Sequence, residues 1–389
     1  MLTSLLASVL MTAQSPISAS RLVDGTNDSG MTILARSYAE RPGNVMVSPL
    51  SIAMCLAMVE SGARGKTRDG IDQAIGWPVA DREGISASVL PVADMLMNAG
   101  GDQMRMDIAN SVWTNQNIPV DASFADLVRD RFRARVTSLN FGDKVASLNA
   151  INGWVSEQTR GKIPTILDDI DAGMLMVLVN AISFKAEWAE QFSPRSTRPL
   201  PFTGLDGKTA DVPMMSRGGG MRYLERPDSQ TIFLPYKAGG YQMAVVLPAK
   251  GTDFPKFVAG FDAAKFREIE GAADFERGSV TLPKWKSEFR IELKKILASI
   301  GMELAFRPGA ADFSGMSKVP SHIDYVIHKT FIAVDETGTE AAAVTATGMR
   351  AGSAAPRNPF TFVVDRPFMY VIFHEPSGMI CFAGTVVRP

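Results

Sequence analysis

Histidine and cysteine are scarce in this chain. Of 389 residues, three are His and two are Cys. Three imidazoles, His322, His328 and His374, are few for a hydrolase or a metal centre. His374-Glu375 begins like a zinc-protease motif, but no second His follows four residues after the first. Cys55 and Cys381 stand far apart inside apolar runs, in no metal-type spacing, and read as buried, reduced thiols, with a disulfide between them as the alternative. No metal and no cofactor are expected. No apolar run reaches the ~18 residues that a membrane span needs. Neither sign of charge prevails: 40 basic residues face 41 acidic ones, the formal net charge is -1, and there is no basic block. Nucleic acid and anionic membrane are therefore not expected partners. Phosphate-loop and nucleophile signatures are missing too. In Gly62–Thr67 and again in Gly204–Thr209 the first Gly is too close to the rest of the motif to shape a phosphate cradle. There is no G-x-S-x-G elbow and no dinucleotide fingerprint after a strand.

What is present is a large apolar fraction, 46%, enough for one big domain or two ordinary ones. Helical and strand patterns interleave without a strict βαβ rhythm, which argues for an α+β fold. Ser48-Pro49 starts a capped helix that ends near Gly62. Residues 146–160 carry Leu148, Ile151, Trp154 and Val155 at helical spacing. Residues 175–185 read as a buried strand, and YQMAVVLP as another. Residues 290–300 read as an amphipathic helix ended by Gly301. VIHKTFIAVDE is a long strand. The tail forms a hairpin around Glu375-Pro376-Ser377-Gly378. At the N-terminus, Leu5 to Met11 resembles a short signal core and Ser18-Ala19-Ser20 a cleavage site, without the leading Lys or Arg. Residues 1–20 are read as a signal peptide or a disordered N-terminus. Export, to a secreted or periplasmic location, is the expectation; a cytoplasmic location is the alternative.

The stretch DETGTEAAAVTATGMRAGS, 335–353, is the anomaly. Between Asp335 and Thr361 there is no helix or buried-strand pattern, and so long a loop is usually functional or disordered. Taken with period two, one set is Thr339, Ala341, Ala343, Thr345 and Thr347, all small and uncharged. The other is Glu340, Ala342, Val344, Ala346 and Gly348, which holds the only charge. That pattern suits a strand with one face inward, yet it lacks the large β-formers of a committed strand. A flexible surface loop fits the composition as well. Gly338 supplies a hinge.

At this point the chain resembles the serpins, over nearly its whole length. The hinge E-x-G-T-E-A-A-A stands here as Glu336 to Ala343, preceded by Val326-Ile327-His328-Lys329. NVMVSPLSIAMCLAMVESGARGKT (44–67), LVNAISFKAEW (178–188), ADFSGMS (311–317) and the ending RPFMYVIF…GTVVRP also match. The resemblance implies a single domain, 21–389, with three β-sheets, about nine helices and an exposed reactive-centre loop at about 336–360. It implies a suicide inhibitor of serine proteases, not an enzyme. A protease attacks the loop and forms an acyl-enzyme, the cut hinge enters the main sheet as a new strand, and deacylation stalls.

The resemblance also carries residue roles. The hinge is Glu336, Gly338, Thr339, Glu340, Ala341, Ala342 and Ala343. A shutter cluster under the sheet is Ser48, Ser51, Asn180 and His328; by residue type alone these are helix caps and a satisfied core His. Trp188 matches the Trp where the loop first enters, and Lys284 the Lys that pairs with Glu336; these three residues form the breach. Family spacing puts the scissile bond at Gly352-Ser353, with Ala351, Arg350 and Met349 as alternatives. Gly352 or Ala351 suits an elastase- or subtilisin-like protease, Arg350 a trypsin-like one. Thr337 and Val344 depart from the usual residues without touching the inward set. Residues 81–105 hold only Arg82 and Arg105 as basic residues, so no polyanion cofactor is expected. The implied state is a monomer, open to loop-sheet polymerisation. Two rival functions remain at this stage: a non-inhibitory carrier, chaperone or storage protein on the same fold, and a serine hydrolase built on Ser48 and His328.

Overall fold

A computed structural model describes residues 16–339 and 359–389. Its framework is two β-ladders with helices between and around them. The six-stranded ladder has the order Trp285–Glu292, Tyr325–Val334, Gly338–Thr339, Met176–Glu187, Met104–Asn115, Arg135–Leu139. The nine-stranded ladder contains the C-terminal hairpin, Phe368–His374 with Met379–Val386, flanked by Met46–Val47 at the ladder's end and by Tyr241–Pro248 on the other side. The resemblance implies three sheets; two of them are joined here. The strand Thr209–Glu225 pairs with Arg198–Thr203 at its start and with Ser229–Pro235 at its end, while Asp274–Pro283 runs beside its middle, from Met214 to Tyr223. The run Gly218-Gly219-Gly220 lies between those two arms, and Gly219 has φ 146°, a value side chains rarely tolerate.

Nine α-helices are present among the described residues. The helix Pro49–Gly62 is mostly apolar and buried along nearly its whole length, with Glu60 paired to Arg68, as suits a helix that lies between two sheets. It touches both Met176–Glu187 and the C-terminal strand Met379–Val386. Its start is fixed locally: Ser48 Oγ accepts the N–H of Ser51 at 3.2 Å, and Pro49 occupies the first turn, where an N–H would have no partner. The helix Lys144–Gln158 covers the opposite face of the six-stranded sheet. Its Ile151 and Val155 pack in a second core with Val177, Val179, Ala181, Ile327 and Phe331.

One expected element is different. Residues 290–292 are not helical; they finish the strand Trp285–Glu292, with Arg290 opposite Lys329. Only Lys294–Leu297 is regular α-helix, and the chain then turns through Gly301 at φ 129°. Trp285, Ser287, Phe289 and Ile291 are buried alternately. A free sheet edge with that alternation overrides the helical spacing of the following residues. At the other end, a helix runs from Pro16 to Glu40 and takes in residues 18–20. Cys55 and Cys381 are buried and free. Among the described residues no helix is long and apolar enough to cross a membrane.

Candidate functional site

The six-stranded sheet has an unusual centre. Its two middle strands, Tyr325–Val334 and Met176–Glu187, run parallel and pair directly from Tyr325↔Val177 to Phe331↔Ser183. Above that they diverge. In the gap sits Gly338–Thr339, antiparallel to both: Thr339 lies opposite Val334 and Ala186, and Gly338 opposite Glu187. The sheet is closed below and parted above by two residues.

Several side chains hold those two residues. Thr339 is fully buried, and its hydroxyl shares a 2.7 Å hydrogen bond with the Tyr236 hydroxyl. The Tyr236 ring stacks on Trp188, with centroids 4.5 Å apart and planes 11° apart. Gly338 approaches the backbone so closely that a Cβ there would stand 2.1 Å from Ala186 O. No other residue fits at this position in this arrangement. Trp188 Nε1 donates to Asp335 O at 2.9 Å, and the Trp188 N–H donates to Thr337 O at 2.9 Å. Lys284 Nζ lies 2.8 Å from Glu336 Oε2, and Thr197 Oγ1 donates to Glu336 Oε1 at 2.7 Å. Burial raises the Glu336 carboxyl, but Lys284 and then Thr197 outweigh it, and its pKa lies below the ordinary glutamate value.

Lower down, where the two strands meet, is a second cluster. His328 and Asn180 are opposite each other in the parallel pairing. The His328 Nδ1–H donates to Asn180 Oδ1, which leaves Nε2 to accept the Ser48 N–H at 3.1 Å. Asn180 Nδ2 donates to Ser51 O at 2.9 Å, to Ser51 Oγ at 2.6 Å and to Asn110 Oδ1. All five residues are buried. His328 must stay neutral to accept at Nε2, and complete burial pushes its pKa down to about 3.

The residues foreseen as shutter and breach are thus brought together in two clusters. Trp188, Lys284, Glu336, Gly338 and Thr339 meet at the top of the sheet; Ser48, Ser51, Asn180 and His328 meet below. Glu340, Ala341, Ala342, Ala343 and the bond candidates Met349, Arg350, Ala351, Gly352 and Ser353 lie outside the described residues. Four partners were not foreseen: Asn110, Thr197, Tyr236 and Asp335. Asn110 left a faint signal, as a polar residue in the strand MRMDIANSVWTN opposite Asn180. The others carry none that a single sequence exposes. The hydrolase reading finds no support in this geometry, because Ser48 meets His328 through its backbone N–H while its hydroxyl caps a helix.

This arrangement defines a class: proteins with a central sheet opened at one end around a tethered hinge. A family model described as "Serpin (serine protease inhibitor)" matches residues 24–389. Glia-derived nexin of Rattus norvegicus is 30% identical, covering 93% of this chain and 92% of its own. An uncharacterized serpin-like protein of Thermococcus kodakarensis is 32% identical, over 92% of this chain and 83% of its own. Among solved structures, tengpin, a thermophilic serpin in its native state, aligns with TM-score 0.85 and 29% identity over 94% of each chain. Human thyroxine-binding globulin, complexed with thyroxine, aligns with TM-score 0.87 and 25% identity over 96% of this chain and 99% of its own. The chain belongs to the serpin family.

Proposed function

We propose that this serpin is an inhibitor of serine proteases that traps the acyl-enzyme by inserting its cleaved loop into the six-stranded sheet. The observation that carries the reading is the seat of Gly338–Thr339 between the two parting strands. If the strand continues in that register, residue 348 comes opposite both Tyr325 and Val177. Those two residues are already paired with each other, so one inserted strand, 339–348, fits both neighbours without a bulge. Thr339, Ala341, Ala343, Thr345 and Thr347 then face the helix Pro49–Gly62, and Glu340 faces away. No charge enters the core. Thr345 comes between Asn180 and His328, so the bond between them must open for the strand to pass.

The energy scale supports it. Each new backbone hydrogen bond contributes about 0.5–1.5 kcal/mol net. About a dozen give on the order of ten kcal/mol, comparable with the stability of a whole domain. The uncut form is then metastable.

The scissile bond is proposed at Gly352-Ser353, with Ala351, Arg350 and Met349 as the alternatives. The partner is then an elastase- or subtilisin-like protease, with a trypsin-like one second. Export from the cell is proposed on the apolar run Leu5–Met11; N-terminal sequencing of the protein from its source checks it. The fold also serves proteins such as thyroxine-binding globulin, and the small residues of the hinge weigh against a carrier role here. The test is a denaturing gel after mixing with each protease class, with mass spectrometry of the released C-terminal peptide. A covalent band at the summed mass is the expected result, and the peptide's first residue fixes the bond. Cleavage without such a band across the panel sinks the inhibitory reading.

A further inference from the structure

The chain reverses between its two hinge strands in a tight space. Val334 and Thr339 are paired, the Asp335 N–H donates to Gly338 O at 2.9 Å, and only Glu336 and Thr337 form the loop. Two-residue hairpin loops are normally stable because their central residues adopt positive φ. Among the described residues only Arg133 and Arg160 do so outside glycine, and Gly338 is not among the positive-φ glycines. This turn therefore lacks the backbone geometry that makes such hairpins form unaided. Its stability comes from elsewhere. Asp335 Oδ1 accepts the N–H of Thr337 at 2.8 Å and the N–H of Gly338 at 3.2 Å, a side chain standing in for a backbone acceptor. The far side of the turn is tied by Trp188 N–H to Thr337 O and by Phe192 N–H to Glu336 O, each at 2.9 Å.

We propose that Asp335 is a positioning residue for loop insertion: its carboxylate holds the hinge as a preformed hairpin, so that the strand grows downward from Thr339 without first nucleating a turn. The proposal rests on the inhibitory reading above. Starting a hairpin is the slow part of making one, because several dihedrals are fixed before the first bonds form. A cut loop that begins from a closed hairpin starts past that step. Insertion competes with deacylation, so a slower start diverts the acyl-enzyme to release. Asp335 touches neither the protease nor the scissile bond, and its loss leaves the association step unchanged.

The test compares Asp335→Ala and Asp335→Asn with wild type, against whichever protease the wild type traps. Asn keeps the Oδ1 acceptor. For Asp335→Ala the limiting rate of insertion, followed by stopped-flow fluorescence of a dye on the loop, falls roughly fivefold or more on the loss of two hydrogen bonds. The moles of serpin consumed per mole of protease rise, the second-order association constant holds, and Asp335→Asn behaves as wild type. A wild type that traps protease, with Asp335→Ala inserting as fast, overturns the role of Asp335 alone. A wild type that neither traps protease nor inserts its cut loop overturns both readings. Should Asp335→Ala fail to fold, hydrogen exchange in the wild type decides: the amides of Thr337 and Gly338 must be protected, and exchange at the free-peptide rate overturns the proposal.

Discussion

The upper and lower ends of one strand pair are built on opposite principles. At the top, Tyr325–Val334 and Met176–Glu187 stand apart with Gly338–Thr339 between them, and the contacts include an ion pair with Lys284 37% exposed. Below, the same strands pair directly, His328 is bonded to Asn180, and every polar group of the cluster is neutral and buried. The upper end is half-wet and adjustable; the lower end is dry and closed. A buried polar network is rigid where its bonds are formed and expensive to break, and in this cluster Asn110 Nδ2 is the side-chain atom left without a partner. If the loop inserts as proposed, the difference locates the barrier that remains once the hinge hairpin is preformed. The opening is prepared, and the path beneath it is shut by the His328–Asn180 bond and by the apolar packing of Val177, Val179 and Ile327 under the helix Lys144–Gln158.

The harshest way to break this comparison is to put a charge where the open end begins. Thr339 is fully buried between Val334 and Ala186. Thr339→Arg forces a guanidinium into that gap or keeps the strand out, a penalty of several kcal/mol. The covalent complex should vanish from the gel while the loop is still cut at the same bond, converting inhibitor into substrate. Undiminished complex formation by Thr339→Arg rules out insertion through this gap.

The closed end can be probed by pH. Burial holds His328 down at about 3, against an ordinary 6.5. Between those values the unfolded chain binds a proton that the folded chain refuses. Stability is therefore full above 6.5 and falls as the pH drops, by about 1.4 kcal/mol per pH unit. Replacing His328 by Gln removes this slope. The wild type's advantage in urea midpoint over His328→Gln should be constant above pH 7 and shrink steadily toward pH 5. An advantage independent of pH across that range means His328 is not held neutral.

How much of this was legible beforehand follows the same division. Ser48, Pro49 and Gly62 mark a helix by local chemistry that acts within one turn, and the apolar run of Met176–Glu187 marks a buried strand by composition. Motif resemblance then named residues that the fold brings together at both ends of the strand pair. What stayed hidden is contact between distant segments. Tyr236 reaches Thr339 across 103 positions and Thr197 reaches Glu336 across 139; neither has a spacing or period to betray it. Residues 290–292 misled for the complementary reason. Their helical spacing was real, but the sheet edge formed by Tyr325–Val334 was not visible to a window of eleven residues.

A gentler change sharpens the picture at the top. Tyr236→Phe keeps the stack on Trp188 and deletes only the hydroxyl that meets Thr339. The buried Thr339 hydroxyl then lacks that partner, at a cost of about 1–3 kcal/mol. The seat of the hinge loosens, and Trp188, stacked beside it, should report the change as altered emission. Unchanged emission and an unchanged urea midpoint would mean that packing alone seats Thr339.

The smallest effect is expected from the ion pair. Lys284 is partly exposed and Glu336 is only 12% exposed, so the attraction is screened on one side, and such a pair contributes about 0–1 kcal/mol. Lys284→Met should therefore shift the native midpoint slightly, leave trapping intact, and modestly raise the rate at which the uncut loop inserts on storage. Its pH dependence is distinct from that of the closed end. The Glu336 pKa is lowered in the fold, so its contribution is complete above about 4.5 and is lost as the pH falls through the lowered value. At pH 5 the His328 contribution has already declined and the Glu336 contribution has not. A Lys284→Met difference that decays between pH 7 and 5 alongside that of His328→Gln would show that the two ends of the strand pair are coupled rather than separate.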